Sequence, residues 1–96
     1  MTSLKVCSAA EAEYTKALCW YAERNEAAAT DFDSEFDRAC AAIAKDPERY
    51  PKCDERHRFY LMRRFPYQII YRIVRAQVIV IAVAHTSRSP HYWTER

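Results

Sequence analysis

Glycine is absent from all 96 residues. Without it the chain cannot form the glycine-rich loop that cradles phosphates in nucleotide-binding folds, and any tight hairpin turn must take a residue bearing a Cβ into unfavourable geometry. Long apolar runs are also missing. The longest, Val78 to Ala84, is far shorter than the roughly 20 residues of a membrane-spanning helix, so a soluble protein with no membrane partner is expected. Met1-Thr2-Ser3-Leu4-Lys5-Val6 has neither the charged nor the apolar region of a secretory signal, which points to the cytoplasm. Cys7, Cys19, Cys40 and Cys53 never approach the C-x-x-C spacing of metal and redox sites. They read as reduced thiols, with Cys19 and Cys40 packed on helices as small hydrophobes. No metal constellation and no nucleophile beside its base is visible, so no metal and no cofactor are expected.

The chain does carry a strong division of charge. Residues 1–55 hold 7 Lys/Arg against 12 Asp/Glu, whereas residues 56–96 hold 8 arginines against the single acid Glu95. The planar guanidinium fork suits phosphate or carboxylate, so the second half is fitted to an anionic partner. A solvated basic face is the plainer alternative.

With no repeat or low-complexity stretch, residues 1–96 form one domain. Leu4 to Cys7 is a short strand candidate, and Ser8 with Glu11 forms the S-x-x-E pattern that caps a helix beginning at Ala9. Tyr14, Ala17, Leu18, Tyr21 and Ala22 recur at helical spacing up to Asn25. Phe32, Phe36, Ala39, Cys40 and Ile43 repeat that pattern over 27–44, giving an antiparallel helical hairpin closed by Asp46-Pro47. Trp20, Tyr21, Phe32 and Phe36 are assigned to helix packing.

From Arg56 the period becomes two. Arg56 to Arg63, Tyr67 to Val74 and Val78 to His85 are three strands of an antiparallel meander, broken at Phe65-Pro66 and at Arg75-Ala76-Gln77. The last run is apolar on both sides, which predicts an interior strand with one face under the helices and the other lining an open groove. The tail ending in Tyr92-Trp93 folds back on the sheet. The expected fold class is α+β: strand, helix, helix, and three strands, with the helical hairpin covering a small, largely antiparallel sheet.

This order, together with Trp20-Tyr21, Asp46-Pro47 before Tyr50-Pro51, Arg64-Phe65-Pro66-Tyr67-Gln68-Ile69-Ile70-Tyr71-Arg72, and Ala82-Val83-Ala84-His85 leading to Arg88, Pro90 and Tyr92-Trp93, resembles the RelE/ParE superfamily of toxins. The resemblance implies the toxin component of a type II toxin-antitoxin module, of the kind associated with plasmid stabilisation. It also implies a cognate antitoxin whose tail folds onto the toxin, in a higher-order complex. An acidic antitoxin segment would pair with Arg56, Arg58, Arg64 or Arg72.

Two mechanisms occur in the superfamily. RelE-like toxins cut messenger RNA on the ribosome, which calls for a base and for cations that hold the phosphate. Alignment through Tyr67 and Tyr71 puts Phe59, Leu61 and Gln68 where that branch carries its strand cations. What remains for such chemistry is His85, Arg88, Arg63 and Tyr92. ParE-like toxins bind DNA gyrase and need no reacting group, and the poor match to the RelE cations favours that branch. A degenerate toxin that only binds antitoxin is the third reading. His85 has a structural alternative, as a histidine bonded to nearby backbone; Arg88 can instead pair with Glu95; Tyr92 and Trp93 can anchor the tail rather than stack a base. His57 and His91 are expected to be solvated.

Overall fold

Cys7 joins strand to helix with no intervening loop. In the computed structural model, which describes residues 2–96, strand β1 (Ser3–Val6) is followed directly by helix α1 (Ser8–Arg24). The Cys7 N–H donates to Val80 O at 2.9 Å and its Sγ lies 3.6 Å from Ile81 O, so pairing with a later strand fixes the residue before the helix. Ser8 is consequently the first helical residue, and the expected Ser8 cap does not form; Cys7 occupies the capping position, and its side chain makes no bond to the helix's first amides. Asn25 serves both helices. Its N–H donates to Tyr21 O, closing α1, and its Oδ1 accepts from the N–H groups of Ala27 and Ala28 at 2.9 and 3.3 Å, opening α2 (Glu26–Lys45).

Three strands follow: β2 (Arg58–Leu61), β3 (Tyr67–Val74) and β4 (Gln77–His85). The sheet order is β1-β4-β3-β2, with β1 parallel to β4 and the other pairs antiparallel. β4 is therefore interior, as its composition predicts. Ile70 faces Ala82 while Tyr71 faces Val80, which leaves Ile81 as the extra residue of a β-bulge. The bulge shifts the phase of β4. Val78 and Val80 share the helix-side core with Val83, whereas Ile81, Ala82 and Ala84 belong to the opposite side.

The β3–β4 turn answers the lack of glycine with strained residues: Arg75 and Ala76 have φ of 51° and 63°. Positive φ at both central positions marks a type I′ hairpin turn, for which Asn-Gly is the favoured pair. Ala76→Gly relieves a Cβ clash and is expected to stabilise the fold by about 0.5–1 kcal/mol. In a domain of this size that corresponds to a rise of about 3–6 °C in melting temperature. An unchanged or lowered midpoint on thermal denaturation would show that the turn carries no such strain.

The larger core lies between helices and sheet. Phe32, Ala39 and Ile43 of α2 and Ala17 of α1 pack on Ile69, Tyr71, Val78 and Val80, all nearly or fully buried. The smaller core lies on the outer face, where Trp93 covers Ile70, Ile81, Ala82 and Ala84. An open groove is thus not what this face presents at its centre; the chain's own tail fills it, because Trp93 buries its indole there at 3% exposure.

Three burial assignments differ from expectation. Cys19 is exposed rather than packed, since position 19 of α1 points away from both α2 and the sheet. Trp20 is 49% exposed. His57 is 1% exposed instead of solvated, because Asp54 compensates it: the imidazole Nδ1 lies 2.9 Å from both carboxylate oxygens, and one of these oxygens also accepts the N–H groups of Arg56 and His57 at 2.8 Å. This turn consumes residues expected to open the strand, so β2 begins only at Arg58.

Partial burial pushes the Asp54 carboxyl up, but the backbone and imidazole hydrogen bonds outweigh it and hold the group below its ordinary value of 3.8. A depressed folded-state value contributes stability above the unfolded value and loses it as pH falls through the folded one. Asp54→Asn is therefore expected to melt below the parent at pH 7, with the gap narrowing once pH drops under about 4. Parallel melting curves from pH 7 to 3 test this; a constant gap would refute the linkage.

Candidate functional site

Residues 13, 16, 17, 20 and 21 of α1 follow the i, i+3, i+4, i+7, i+8 spacing of one helical face. That face forms one wall of a cleft of about 470 Å³, with Pro66, Tyr67, Val83, His85 and Arg88 on the other side. The cleft lies where β3 starts and β4 ends, Tyr67 and His85 being partners in the register. Beneath it, Phe32 meets Tyr21 and Tyr67 at centroid distances of 5.3 and 5.4 Å, so the cleft wall rests on the helix-side core.

Glu13 is the polar centre of this region. β1 ends at Val6, and beyond that point β4 has no strand neighbour on that side among the described residues. Side chains take over the missing pairing: Glu13 Oε1 accepts the Val83 N–H at 3.0 Å, and Arg96 donates to Ile81 O at 3.0 Å. Arg96 also donates to Glu13 Oε1 at 3.0 Å, while Glu13 Oε2 accepts from the Tyr92 hydroxyl at 2.7 Å and from Arg88 at 3.4 Å. Burial, and then the Glu13 carboxylate, push the Tyr92 hydroxyl up to about 12, so it remains a donor at neutral pH. The Arg88 guanidinium lies 3.8 Å over the Tyr92 ring.

His85 stacks edge-on against Tyr67 at 5.0 Å. Its Nδ1 lies 3.1 Å from the Ser87 N–H, which donates to it, and 2.8 Å from Ser87 Oγ. A ring nitrogen that accepts a backbone N–H carries no proton, so the neutral imidazole holds its proton on Nε2. The ring nitrogen left over thus offers a donor, and the basic lone pair is held by Ser87.

Of the four residues proposed for RNA cleavage, His85 and Arg88 line the cleft, and Tyr92 is joined to Arg88 through Glu13. Arg63 is exposed in the β2–β3 connection and is not part of the lining. Arg88 pairs with Glu13, not Glu95. Of the four arginines assigned to a partner, Arg56 and Arg58 line one small hollow, while Arg64 and Arg72 lie outside it. Arg58 donates to the carbonyls of Glu48 and Tyr50 at 3.1 and 2.6 Å. Arg64 lies 3.9 Å from Asp31 and 3.8 Å from the buried Glu35; Arg72 donates to Arg96 O at 3.4 Å; Arg56 is exposed beside His57.

Sequence reasoning missed Glu13, Lys16 and the exposure of Trp20. One signal was available: Glu13 sits three residues after Ala10 and four before Ala17, both buried, so it is an acid on the inward stripe of its helix. Trp20 is held at the cleft rim by Arg24, whose guanidinium lies 3.8 Å from its ring centroid and donates to Trp20 O at 3.0 Å. Among the described residues, no group of three His, Cys, Asp or Glu is placed to hold a metal ion, and no helix is long and apolar enough to cross a membrane.

Comparison with known proteins extends this picture. No curated protein matches the chain. Among solved structures, a chain of the chromosomal ParDE TA system from P. aeruginosa superimposes with a TM-score of 0.79 over 91% of this chain and 98% of its own length, at 14% identity. At that identity the likeness concerns the fold, and it covers the βααβββ order described above. The family model for the ParE toxin of type II toxin-antitoxin systems, parDE, matches residues 4–90, and on that match the chain belongs to the ParE toxin family.

Proposed function

We propose that this toxin arrests bacterial growth by binding DNA gyrase, without making or breaking bonds in RNA, and that a cognate antitoxin neutralises it. The observation that carries the reading is the state of the two best-placed catalytic candidates. Ser87 occupies the basic nitrogen of His85, and Glu13 engages Arg88. A base that must first break a backbone bond and a cation already paired with a carboxylate are poorly prepared for phosphoryl chemistry. Association, in contrast, draws on what the cleft offers: an exposed indole at its rim, an aromatic floor, and Lys16 beside it.

For the antitoxin, an acidic segment meeting exposed guanidinium groups remains the expected chemistry. Arg56 and Arg64 are the exposed members of the four arginines assigned to it, whereas Arg58 and Arg72 already bond the chain's own carbonyls. Expression of the chain alone should stop bacterial growth, and co-expression of the antitoxin should restore it. Purified protein is expected to produce gyrase-dependent DNA breaks that persist in His85→Ala. Codon-dependent cuts in ribosome-bound message, lost in His85→Ala or Arg88→Ala, would instead establish the nuclease reading.

A further inference from the structure

We propose that residues 88–96 form a strap across the outer face of the sheet, latched by the Glu13 carboxylate, and that the strap lifts as a unit when the latch is broken. Three of the four groups bonded to Glu13 come from this short segment: Arg88, Tyr92 and Arg96. The fourth is the Val83 N–H of β4. One carboxylate on α1 therefore ties the tail to both a helix and the sheet. Tyr92, Trp93 and Arg96 lie beyond residues 4–90, the part matched to the family, whereas Glu13 and Arg88 lie within it.

Two features oppose the closed position. The Trp93 Nε1 is buried without a hydrogen-bond partner, an arrangement disfavoured relative to a hydrated indole. His91 has φ of 68°, left-handed geometry that a residue with a Cβ resists. Apolar contact of Trp93 with Ile70, Ile81, Ala82 and Ala84 favours closure, so burial and the Glu13 latch together hold down a segment that carries strain. Lifting it uncovers those four residues. It also removes Arg96 from the rim of the neighbouring hollow of about 470 Å³ lined by Val74, Ile79 and Ile81, joining the two surfaces into one. Any ligand of the uncovered face would bind with its affinity reduced by the fraction of chains already open.

The test uses the full chain in a Trp20→Phe background, so that Trp93 is the only indole. In Glu13→Gln, Trp93 emission is expected to shift to the red and its quenching by acrylamide to rise several-fold. The Thr94 and Arg96 amides should exchange roughly ten- to hundred-fold faster, as expected when charged hydrogen bonds to a local segment are removed. Amides of Ile69 to Tyr71 should keep their protection. Unchanged quenching of Trp93 would overturn the proposal, and so would equal loss of protection in the sheet, which would make Glu13 a support of the whole fold. If Glu13→Gln does not fold, Arg96→Gln, which leaves α1 untouched, is read by the same criteria.

Discussion

Phe32→Ala is expected to destabilise this protein by about 3–5 kcal/mol, the usual cost of deleting a buried phenyl ring. Phe32 is fully buried and is the meeting point of four other rings. It stacks with Tyr14 and Tyr21 from α1 at 5.7 and 5.3 Å, and meets Phe65 and Tyr67 edge-on at 5.3 and 5.4 Å. Those partners come from α1, from the β2–β3 connection and from β3, so no single element can move in to refill the space. Domains of this size have a total stability of only about 5–14 kcal/mol, and the loss is a large fraction of it. The melting temperature should fall by at least about 15 °C. Because Tyr21 and Tyr67 also line the cleft, the variant should lose growth inhibition together with its fold. A fall of only a few degrees would mean that the aromatic cluster repacks, and that Phe32 does not join the helices to the sheet.

That cluster was largely readable in the sequence. Phe32 and Phe36 fall on the apolar stripe of α2, and Tyr67, Ile69, Tyr71 and Ile73 alternate along β3, whose ends at 67 and 74 agree with the structure. A stripe of period 3.6 and an alternation of period two survive folding because each is set by local backbone geometry. What could not be read depends on contacts between distant residues. The bulge at Ile81 shifts the phase of β4, but in a run composed only of Val, Ile and Ala every phase looks alike. Burial of His57 depends on a carboxylate three residues earlier, in a turn whose shape no apolar pattern records. The outer face looked like a groove because the tail reads as polar up to its last aromatics, and nothing local says that Trp93 reaches Ile81 and Ala84.

The site divides in the same way. His85 and Arg88 were found through the resemblance to the superfamily, carried by Ala82-Val83-Ala84-His85 and the Arg88 that follows. Their chemistry was not, since it is set by neighbours. The Ser87 N–H decides which nitrogen of His85 carries the proton, and Glu13, 75 positions away in sequence, decides what Arg88 is paired with. Cation count alone could not separate a phosphate clamp from a set of internal ties. Arg58, Arg64, Arg72, Arg88 and Arg96 all bond or lie against groups of this same chain. The positive balance of residues 56–96 therefore reflects structure as much as recognition.

Trp20 supplies the sharpest way to tell recognition from structure. An indole that is 49% exposed on a helix whose inner face is well packed contributes little to folding, so Trp20→Ala should change stability by no more than about 0.5 kcal/mol. Its surroundings fit the binding role proposed for the cleft. It stands at the rim of the cleft beside Tyr21, at a centroid distance of 5.1 Å, and the Arg24 guanidinium lies against its ring. Preordered aromatic side chains of this kind dominate the energy of protein interfaces, where truncating one costs about 2–4 kcal/mol. On the proposed binding of gyrase, affinity for it is expected to fall roughly 30- to 1000-fold in Trp20→Ala, with the melting temperature almost unmoved. Trp20→Phe should retain part of the binding, since it keeps an aromatic face for Arg24 and for the target. Full gyrase affinity in Trp20→Ala would exclude the cleft as the docking surface and move the search to the exposed arginines Arg56 and Arg64. Loss of affinity with a large drop in melting temperature would return Trp20 to the helix-packing role its position in the sequence first suggested.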